Sequence, residues 1–318
     1  MDFIAKRKFA YILSCLVIIA GIISMCFQGL NFGIDFTGGT VMQVKFEKSV
    51  DIADLRSDLK EIGHDNAQIQ ELGDGVFQIR ADYMDQTAQD KFTKDLSALT
   101  GKLDVLQANA VGPSIGKEIL RSGILALIIA LVLMVAYISF RFEWRFALAG
   151  NIALFHDILV TLSIFSIFQL EVNSNFVAAI LTIFGYSIND TLVVFDRIRE
   201  RIGSVKRENL ANTVNNGIQA TLKRSLLTSI STLIPLFAVL LFGGATTKLF
   251  VLAIIIGIVS GTYSSIFVAS PLWYLSTHNG NLFVQICSFF LIGLLGNGID
   301  DRGWPLVLCF NKANDEEE

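Results

Sequence analysis

Charged side chains are scarce in this chain. Asp, Glu, Lys and Arg make up 17% of the 318 residues, whereas 53% are hydrophobic; an ordinary soluble domain carries about 25% charged residues. That balance excludes a typical soluble protein and points to a polytopic membrane protein. Cysteine is also sparse: the four are Cys15, Cys26, Cys287 and Cys309. None lies within 30–118 and none forms a C-x-x-C pair, which excludes a disulfide framework in that stretch and a paired-cysteine metal site. Of the three histidines, His156 has no second His or Cys three or four residues away, so a helical zinc site is excluded there. No Gly-Lys-Ser/Thr follows a glycine-rich stretch, which removes a phosphate-binding loop. No nucleophile–base pair, metal cluster or cofactor loop is legible, so the expectation is a protein that is not an enzyme and takes no cofactor. The basic cluster around 197–207 fits a cytoplasmic membrane border better than nucleic acid, and no nucleic-acid partner is expected.

What the chain has instead is long apolar runs. A spanning helix needs about 20 predominantly apolar residues, and six segments qualify: 9–28, 119–140, 145–168, 174–195, 225–243 and 249–275. The first follows Lys6, Arg7 and Lys8 as a signal peptide would. Its apolar run exceeds a secretory core, however, and Cys26-Phe-Gln-Gly29 offers no small-x-small cleavage site, so it reads as a retained anchor in the bilayer. Lys6, Arg7, Lys8, Arg141, Arg145, Arg197, Arg199, Arg201, Lys206, Arg207, Lys223 and Arg224 all fall on one side if the spans alternate. The short loops 169–173 and 244–248 on the other side hold only Lys248. Positive charge therefore places the N-terminus and the 196–224 loop in the cytoplasm.

Residues 30–118 leave the membrane after the first span. Thr40–Glu47 alternates as a strand, and Ile52, Leu55, Leu59 and Ile62 follow at helical spacing, with Asp51 or Asp54 near the helix start. Gln68–Leu72 and Val76–Arg80 flank Gly73-Asp-Gly75 as a hairpin. A polar helix is predicted over 86–99 with Phe92 and Leu96 inward, then a closing strand over 103–108. The order β-α-β-β-α-β is that of a ferredoxin-like α+β domain, external to the membrane. His64 reads as a surface histidine, and Asp82 and Asp85 as a solvated loop.

Asp190 lies inside the fourth span, where a carboxylate costs at least ~2.5 kcal/mol and generally faces a partner or a water path. Two readings fit it: a buried acid satisfied locally by Ser187, Asn189 and Thr191, or a group that carries a proton or ion. The second is preferred. Thr182, Gly185, Tyr186, Asn189 and Asp190 share a face within roughly 140° at helical periodicity, as on a helix lining a hydrated seam, while Phe184, Ile188 and Leu192 lie opposite, suited to lipid or packing. Arg224 opens the antiparallel fifth span at the cytoplasmic level Asp190 approaches; its side chain is long enough to reach the carboxylate or to snorkel to phosphate. His156 and Asp157 sit near mid-membrane in the third span. Adjacent helical residues point about 100° apart, so they are not expected to form a ready-made pair. Gly257–Ser265 in the last span carries small residues four apart and reads as packing rather than chemistry.

Phe32–Thr40 (FGIDFTGGT), Val111–Gly116 (VGPSIG), Phe184–Glu200 (FGYSINDTLVVFDRIRE), Gly243-Gly244 and Gly257–Leu272 together resemble the SecD/SecF protein-export family of the resistance-nodulation-division superfamily, and within it the six-helix SecF type. The likeness runs over about 5–275. It implies a multi-pass subunit of the bacterial inner membrane with residues 30–118 periplasmic. It further implies a SecD-like partner, association with the SecYEG translocon and with YajC, and use of the proton-motive force to help export an unfolded polypeptide. The resemblance maps the proton-carrying acid to Asp190 and its basic neighbour to Arg224; Asn189, Asp157 and His156 complete the candidate proton pathway. Two other readings stand beside this one: a non-transporting assembly or stabilising factor for the translocon, and half of a lipid or small-molecule exporter. Residues 276–318 match nothing in the pattern. Asn281–Leu295 fits an interfacial or re-entrant segment or a short seventh span, and Asp315–Glu318 a solvated end.

Overall fold

The computed structural model describes residues 2–47, 50–73, 75–202 and 210–279. Asp74, Lys206, Arg207, Cys287, Cys309 and the 281–295 segment lie outside them. The chain divides into two compact units, one formed by 1–30, 127–170 and 175 onward, the other by 31–126 and 171–174.

The smaller unit begins with a two-residue strand β1 (Asn31–Phe32) and one helical turn, α2 (Ile34–Thr37), which follow the first long helix α1 (Arg7–Gln28). Then come β2 (Gly39–Phe46), α3 (Ile52–Glu61), β3 (Gln68–Gly73), β4 (Val76–Ala81), α4 (Gln86–Thr100) and β5 (Leu103–Val111). The sheet runs β3-β4-β2-β5 with every neighbouring pair antiparallel, which is the ferredoxin-like arrangement expected from element order. Alternation along β2 and β4 sends Met42, Val44, Phe46, Phe77 and Ile79 inward, where they meet Leu55, Leu59, Phe92 and Leu96 from the helices. Asp51 Oδ1 accepts the Ala53 N–H at 2.8 Å and Asp85 Oδ1 the Ala88 N–H at 2.8 Å, so each acid caps the helix it precedes. His64 is half-buried rather than at the surface, edge-on to the Phe92 ring at 5.0 Å. On the opposite sheet face Gln70, Gln78, Gln43 and Gln107 stand across from one another over all four strands.

Gly38 and Gly39 lie between α2 and β2 with φ of 75° and 134°, backbone that L side chains rarely adopt. A Cβ on Gly38 would stand 2.8 Å from Pro113 Cα, and one on Gly39 2.9 Å from the Ala81 carbonyl oxygen. These glycines are therefore a turn with close backbone approach. β1 pairs in parallel with β6 (Glu171–Val172), a connection read from the sequence only as a short loop. Asp35 accepts hydrogen bonds from the backbone N–H of Ser174, at 2.9 Å, and from its hydroxyl.

The larger unit is a helical bundle. Besides α1 it holds the end of α5 (Pro113–Arg141), α6 (Trp144–Ile167), most of α7 (Ser174–Ile202), α8 (Leu210–Phe242), α9 (Ala245–Ser264) and α10 (Ser270–Asn279). A π-turn, Ser265–Ala269, joins the last two into one span. Among the described residues, six helices are long and apolar enough to cross a membrane. Ile128, Ile129, Val132 and Leu133 on α5 and Leu227, Ile230, Ile234 and Leu241 on α8 are exposed, the outward apolar surface a bilayer-embedded bundle presents. Inside, small residues allow close approach: a Cβ on Gly21 would overlap Ser163, and one on Gly257 would stand 2.2 Å from Ile183 Cγ1.

Of the 196–224 stretch, the described residues, 196–202 and 210–224, are helical rather than loop. α7 continues to Ile202 and α8 begins at Leu210. The reason is a continued apolar face: Ile198, Val214 and Ile218 are buried in the bundle core, and a Cβ on Gly217 would reach within 2.8 Å of Ile198 Cγ1. The Asn215 side chain accepts the Phe3 and Ile4 N–H groups at 2.9 and 3.1 Å and donates to Asp2 Oδ1 at 2.8 Å. Phe3 and Ile4 are thereby buried in the bundle core.

Candidate functional site: two buried acids in the bundle

Among the described residues, two carboxylates lie inside the bundle, and their surroundings differ. Asp157, on α6, is 0% exposed. Its Oδ1 accepts from Ser260 Oγ at 2.7 Å and meets His156 Nδ1 at 3.0 Å. Its Oδ2 accepts from Ser187 Oγ at 2.6 Å and Ser264 Oγ at 2.8 Å. An ionised carboxyl has about four acceptor positions, and all are in use. Helices α6, α7 and α9 thus converge on this one group. The expectation that His156 and Asp157 would not form a pair is wrong. Their Cα–Cβ bonds do diverge, but both side chains have rotatable χ angles, and the ring turns Nδ1 back onto the neighbouring carboxylate. His156 Nε2 then reaches Ser14 Oγ on α1 at 2.9 Å.

Asp190, on α7, is 8% exposed, and its Oδ2 has no hydrogen-bond partner. The local satisfaction considered from sequence does not occur. Ser187 is committed to Asp157, Thr191 Oγ1 bonds Ser187 O and Ser265 Oγ, and Asn189 is exposed. Hydroxyls line the seam between α7, α8 and α9: Tyr186 Oη donates to Ser229 Oγ at 3.1 Å, and Ser229 Oγ lies 2.6 Å from Thr262 Oγ1. Ser225 Oγ on α8 is buried beside Asp190, and it and Ser265 Oγ are the hydroxyls that face the acid, although Asp190 Oδ2 makes no hydrogen bond of ordinary geometry. A buried acid oxygen without a partner carries a desolvation penalty that protonation relieves. Arg224 is exposed on α8, and its positive charge is close enough to act on the Asp190 carboxyl without a direct ion pair.

The polar face of α7 divides. Asp190 is buried and Tyr186 half-buried on the seam side, whereas Thr182, Gly185 and Asn189 are exposed; Phe184 and Ile188 opposite are buried in packing. Ser14, Ser260, Ser264 and Tyr263 were not singled out from sequence. Lone serines on an apolar helix resemble packing residues, and the i, i+4 spacing of Ser260 and Ser264 toward a buried acid was the available signal. The glycines of the same stretch do pack closely: a Cβ on Gly261 would stand 3.0 Å from Ser187 Cβ. Among the described residues no group of three or more His, Cys, Asp or Glu side chains is placed to hold a metal ion.

Six membrane-length helices, a ferredoxin-like domain inserted after the first and acids buried mid-bundle define a polytopic membrane protein of the transport class. Comparison with known proteins narrows this. The family described as "Protein export membrane protein SecD/SecF, C-terminal" matches residues 91–279, and the "SecD/SecF GG Motif" matches 23–50, around Gly38 and Gly39. "Protein translocase subunit SecF" of Sebaldella termitidis is 40% identical over 277 residues, covering 85% of this chain and 89% of the relative. The protein of the same description from Magnetococcus marinus is 41% identical over 280 residues, covering 85% and 90%. The crystal structure of SecDF, described as a translocon-associated membrane protein of Thermus, superposes with a TM-score of 0.80 at 34% identity; the match covers 88% of this chain and 39% of that longer one. The chain belongs to the SecD/SecF family of protein export membrane proteins.

Proposed function

We propose that this chain is a SecF-type subunit that pairs with a SecD-like subunit in the bacterial inner membrane, and that the pair assists SecYEG-dependent export of unfolded polypeptide, with YajC as a further associate. Its N-terminus is cytoplasmic and the ferredoxin-like domain periplasmic. The proton-motive force drives the work through Asp190. The observation that carries this reading is the buried, unpartnered Asp190 Oδ2 in a seam of hydroxyls, together with relatives described as translocase subunits.

Protonation removes the charge that makes Asp190 costly in a low-dielectric seam, and release restores it, so the two states favour different α7–α8 packing. Arg224 stands one residue from Ser225 and supplies the countercharge in the deprotonated state when its long side chain swings inward. Moving one charge across the field is worth ~2.3 kcal/mol per 100 mV, enough to shift a two-state equilibrium several-fold to about fiftyfold. The exposed edge formed by Thr182, Gly185 and Asn189 faces the partner subunit, whose own helices close the seam.

The test uses membrane vesicles containing the translocon, the SecD-like partner and either native chain or Asp190→Asn. Export of a preprotein intermediate is followed under an imposed proton gradient after ATP is removed. Advance with native protein and arrest with Asp190→Asn, at equal protein levels, supports the reading. Equal advance with both makes Asp190 structural and leaves an assembly role in its place.

A further inference from the structure

The hydrogen bonds around His156 can be followed one proton at a time. Tyr263 Oη donates to the Ala10 carbonyl at 2.7 Å, and a carbonyl only accepts, so the single phenol proton is used there. Ser14 Oγ lies 3.2 Å from Tyr263 Oη; with the phenol proton committed, Ser14 is the donor in that contact. The hydroxyl of Ser14 has no other proton, so toward His156 Nε2, at 2.9 Å, Ser14 accepts and Nε2 carries a hydrogen. The other ring nitrogen faces Asp157 Oδ1 at 3.0 Å. A bond there needs one more proton, held by the ring or by the acid. Ser187, Ser260 and Ser264 all donate to Asp157, and three donated hydroxyls hold negative charge on the carboxylate. The proton therefore sits on Nδ1.

We infer that His156 and Asp157 form a buried imidazolium–carboxylate pair, a second proton-holding site in the bundle, built by α1, α6, α7 and α9 and distinct from Asp190. It takes a proton as its ligand and requires no metal. The pair is net neutral, which explains how a fully buried carboxylate is tolerated among apolar helices, where an isolated charge costs several kcal/mol or more. Among the described residues, Ser14 from α1, Ser187 from α7 and Ser260 and Ser264 from α9 hydrogen-bond the pair, and the Tyr263 ring lies beside the imidazole at 6.1 Å. None of these brings a second fixed charge. Ser187 and Asp190 are three residues apart on α7, about 4.5 Å of helix rise, so the pair and Asp190 occupy successive turns of one helix. The inference stands on hydrogen-bond donors and does not depend on the export reading.

The experiment is nitrogen NMR of the full chain, labelled at histidine ring nitrogens, in lipid nanodiscs at neutral pH, where a free imidazole is mainly neutral. His156 is assigned by loss of its signals in His156→Gln. Two protonated-type nitrogens for His156 are expected, with Asp157→Asn losing the Nδ1 proton and Asp190→Asn changing neither nitrogen. Because Asp157→Asn disturbs four hydrogen bonds and can fail to fold, Ser14→Ala is measured alongside it. It removes the Nε2 acceptor and the donor to Tyr263 but leaves every bond to Asp157, and is expected to move the Nε2 signal while Nδ1 stays protonated. A native ring with one unprotonated nitrogen at neutral pH overturns the inference, as does Nδ1 losing its proton in Ser14→Ala.

Discussion

Gly257 and Ile183 make a close approach between α9 and α7, and their geometry sets what a single added methyl does. A Cβ built on Gly257 stands 2.2 Å from Ile183 Cγ1, 2.3 Å from Cδ1 and 2.8 Å from Cγ2. All three atoms belong to a branched side chain that is 1% exposed, with no free space to rotate into and few rotamers available. Gly257→Ala therefore overpacks the helix pair, at about 1–3 kcal/mol. Ile183→Ala alone leaves a cavity, at about 2–5 kcal/mol. In the double variant the new methyl enters the space the old side chain left, so the summed effects exceed the measured one by about 1–3 kcal/mol. The assay is reversible unfolding of the purified chain in mixed detergent micelles, followed by tryptophan fluorescence for the four proteins of the cycle. Ile183→Val is informative too: it removes Cδ1 and leaves both carbons on Cβ, so it relieves Gly257→Ala only partly. Additive effects within a few tenths of a kcal/mol would mean that the helices separate freely at this level, and the close-packing argument would fall. Ile183, Ser187 and Asp190 lie on the same helix, so displacement at Gly257 also carries the acid with it.

Ser260→Ala and Ser264→Ala each remove a donor to Asp157 and are expected to lower stability by about 1.5–3 kcal/mol; the same micelle unfolding checks this, and a double variant losing less than the sum shows the shared acceptor. Gly39→Ala places a side chain at φ 134° against the Ala81 carbonyl and is expected to destabilise the ferredoxin-like unit by about 1–3 kcal/mol, seen as faster amide exchange in β2 and β4. Asp85→Ala removes the α4 cap, costing about 0.5–2 kcal/mol, with exchange rising first at Ala88. The Ala5 N–H, and then the Asn215 side chain, hold the Asp2 carboxyl below its ordinary value of 3.8. With the folded value depressed, the stabilisation is fully present above 3.8 and is lost as pH falls through the folded value. Exchange of the Phe3 and Ile4 amides is therefore expected to accelerate only below the ordinary aspartate range, and acceleration near neutral pH would refute the tether.

Much of the fold was legible because its signals are periodic. The alternation in 40–47, the helical spacing of Ile52, Leu55 and Leu59, and Gly73 and Gly75 at a turn led to the β-α-β-β-α-β order and to the sheet that forms. Asp190 was legible because a carboxylate in an apolar run is conspicuous, but its setting was not: whether Ser187 bonds a near neighbour or an acid on another helix depends on packing that spacing does not encode. The His156–Asp157 contact was missed by treating side chains as fixed Cα–Cβ vectors, which ignores the reach of an imidazole. Ile198, Val214 and Ile218 looked like loop residues amid basic ones because the amphipathic helix ends were read only for charge. The β1–β6 pairing joins two residues to two across about 140 positions, too short a match for any local pattern to reveal.

The π-turn at Ser265–Ala269 changes the phase of everything after it. An α-helix turns about 100° per residue and a π-turn accommodates one extra residue, so Ser270–Asn279 is rotated by about one residue's angle from where an unbroken helix would hold it. The Ser270 hydroxyl marks the offset by donating to Ser265 O, five residues back, at 2.9 Å. Upstream of the turn the span aims Ser260 and Ser264 at Asp157; downstream it lays Trp273 on Phe146 at 4.4 Å with the rings nearly parallel. One rigid helix cannot set both halves toward α6 in these orientations. The inserted residue sets the two halves in different phase, so the serine end meets Asp157 and the aromatic end meets Phe146 on the same helix.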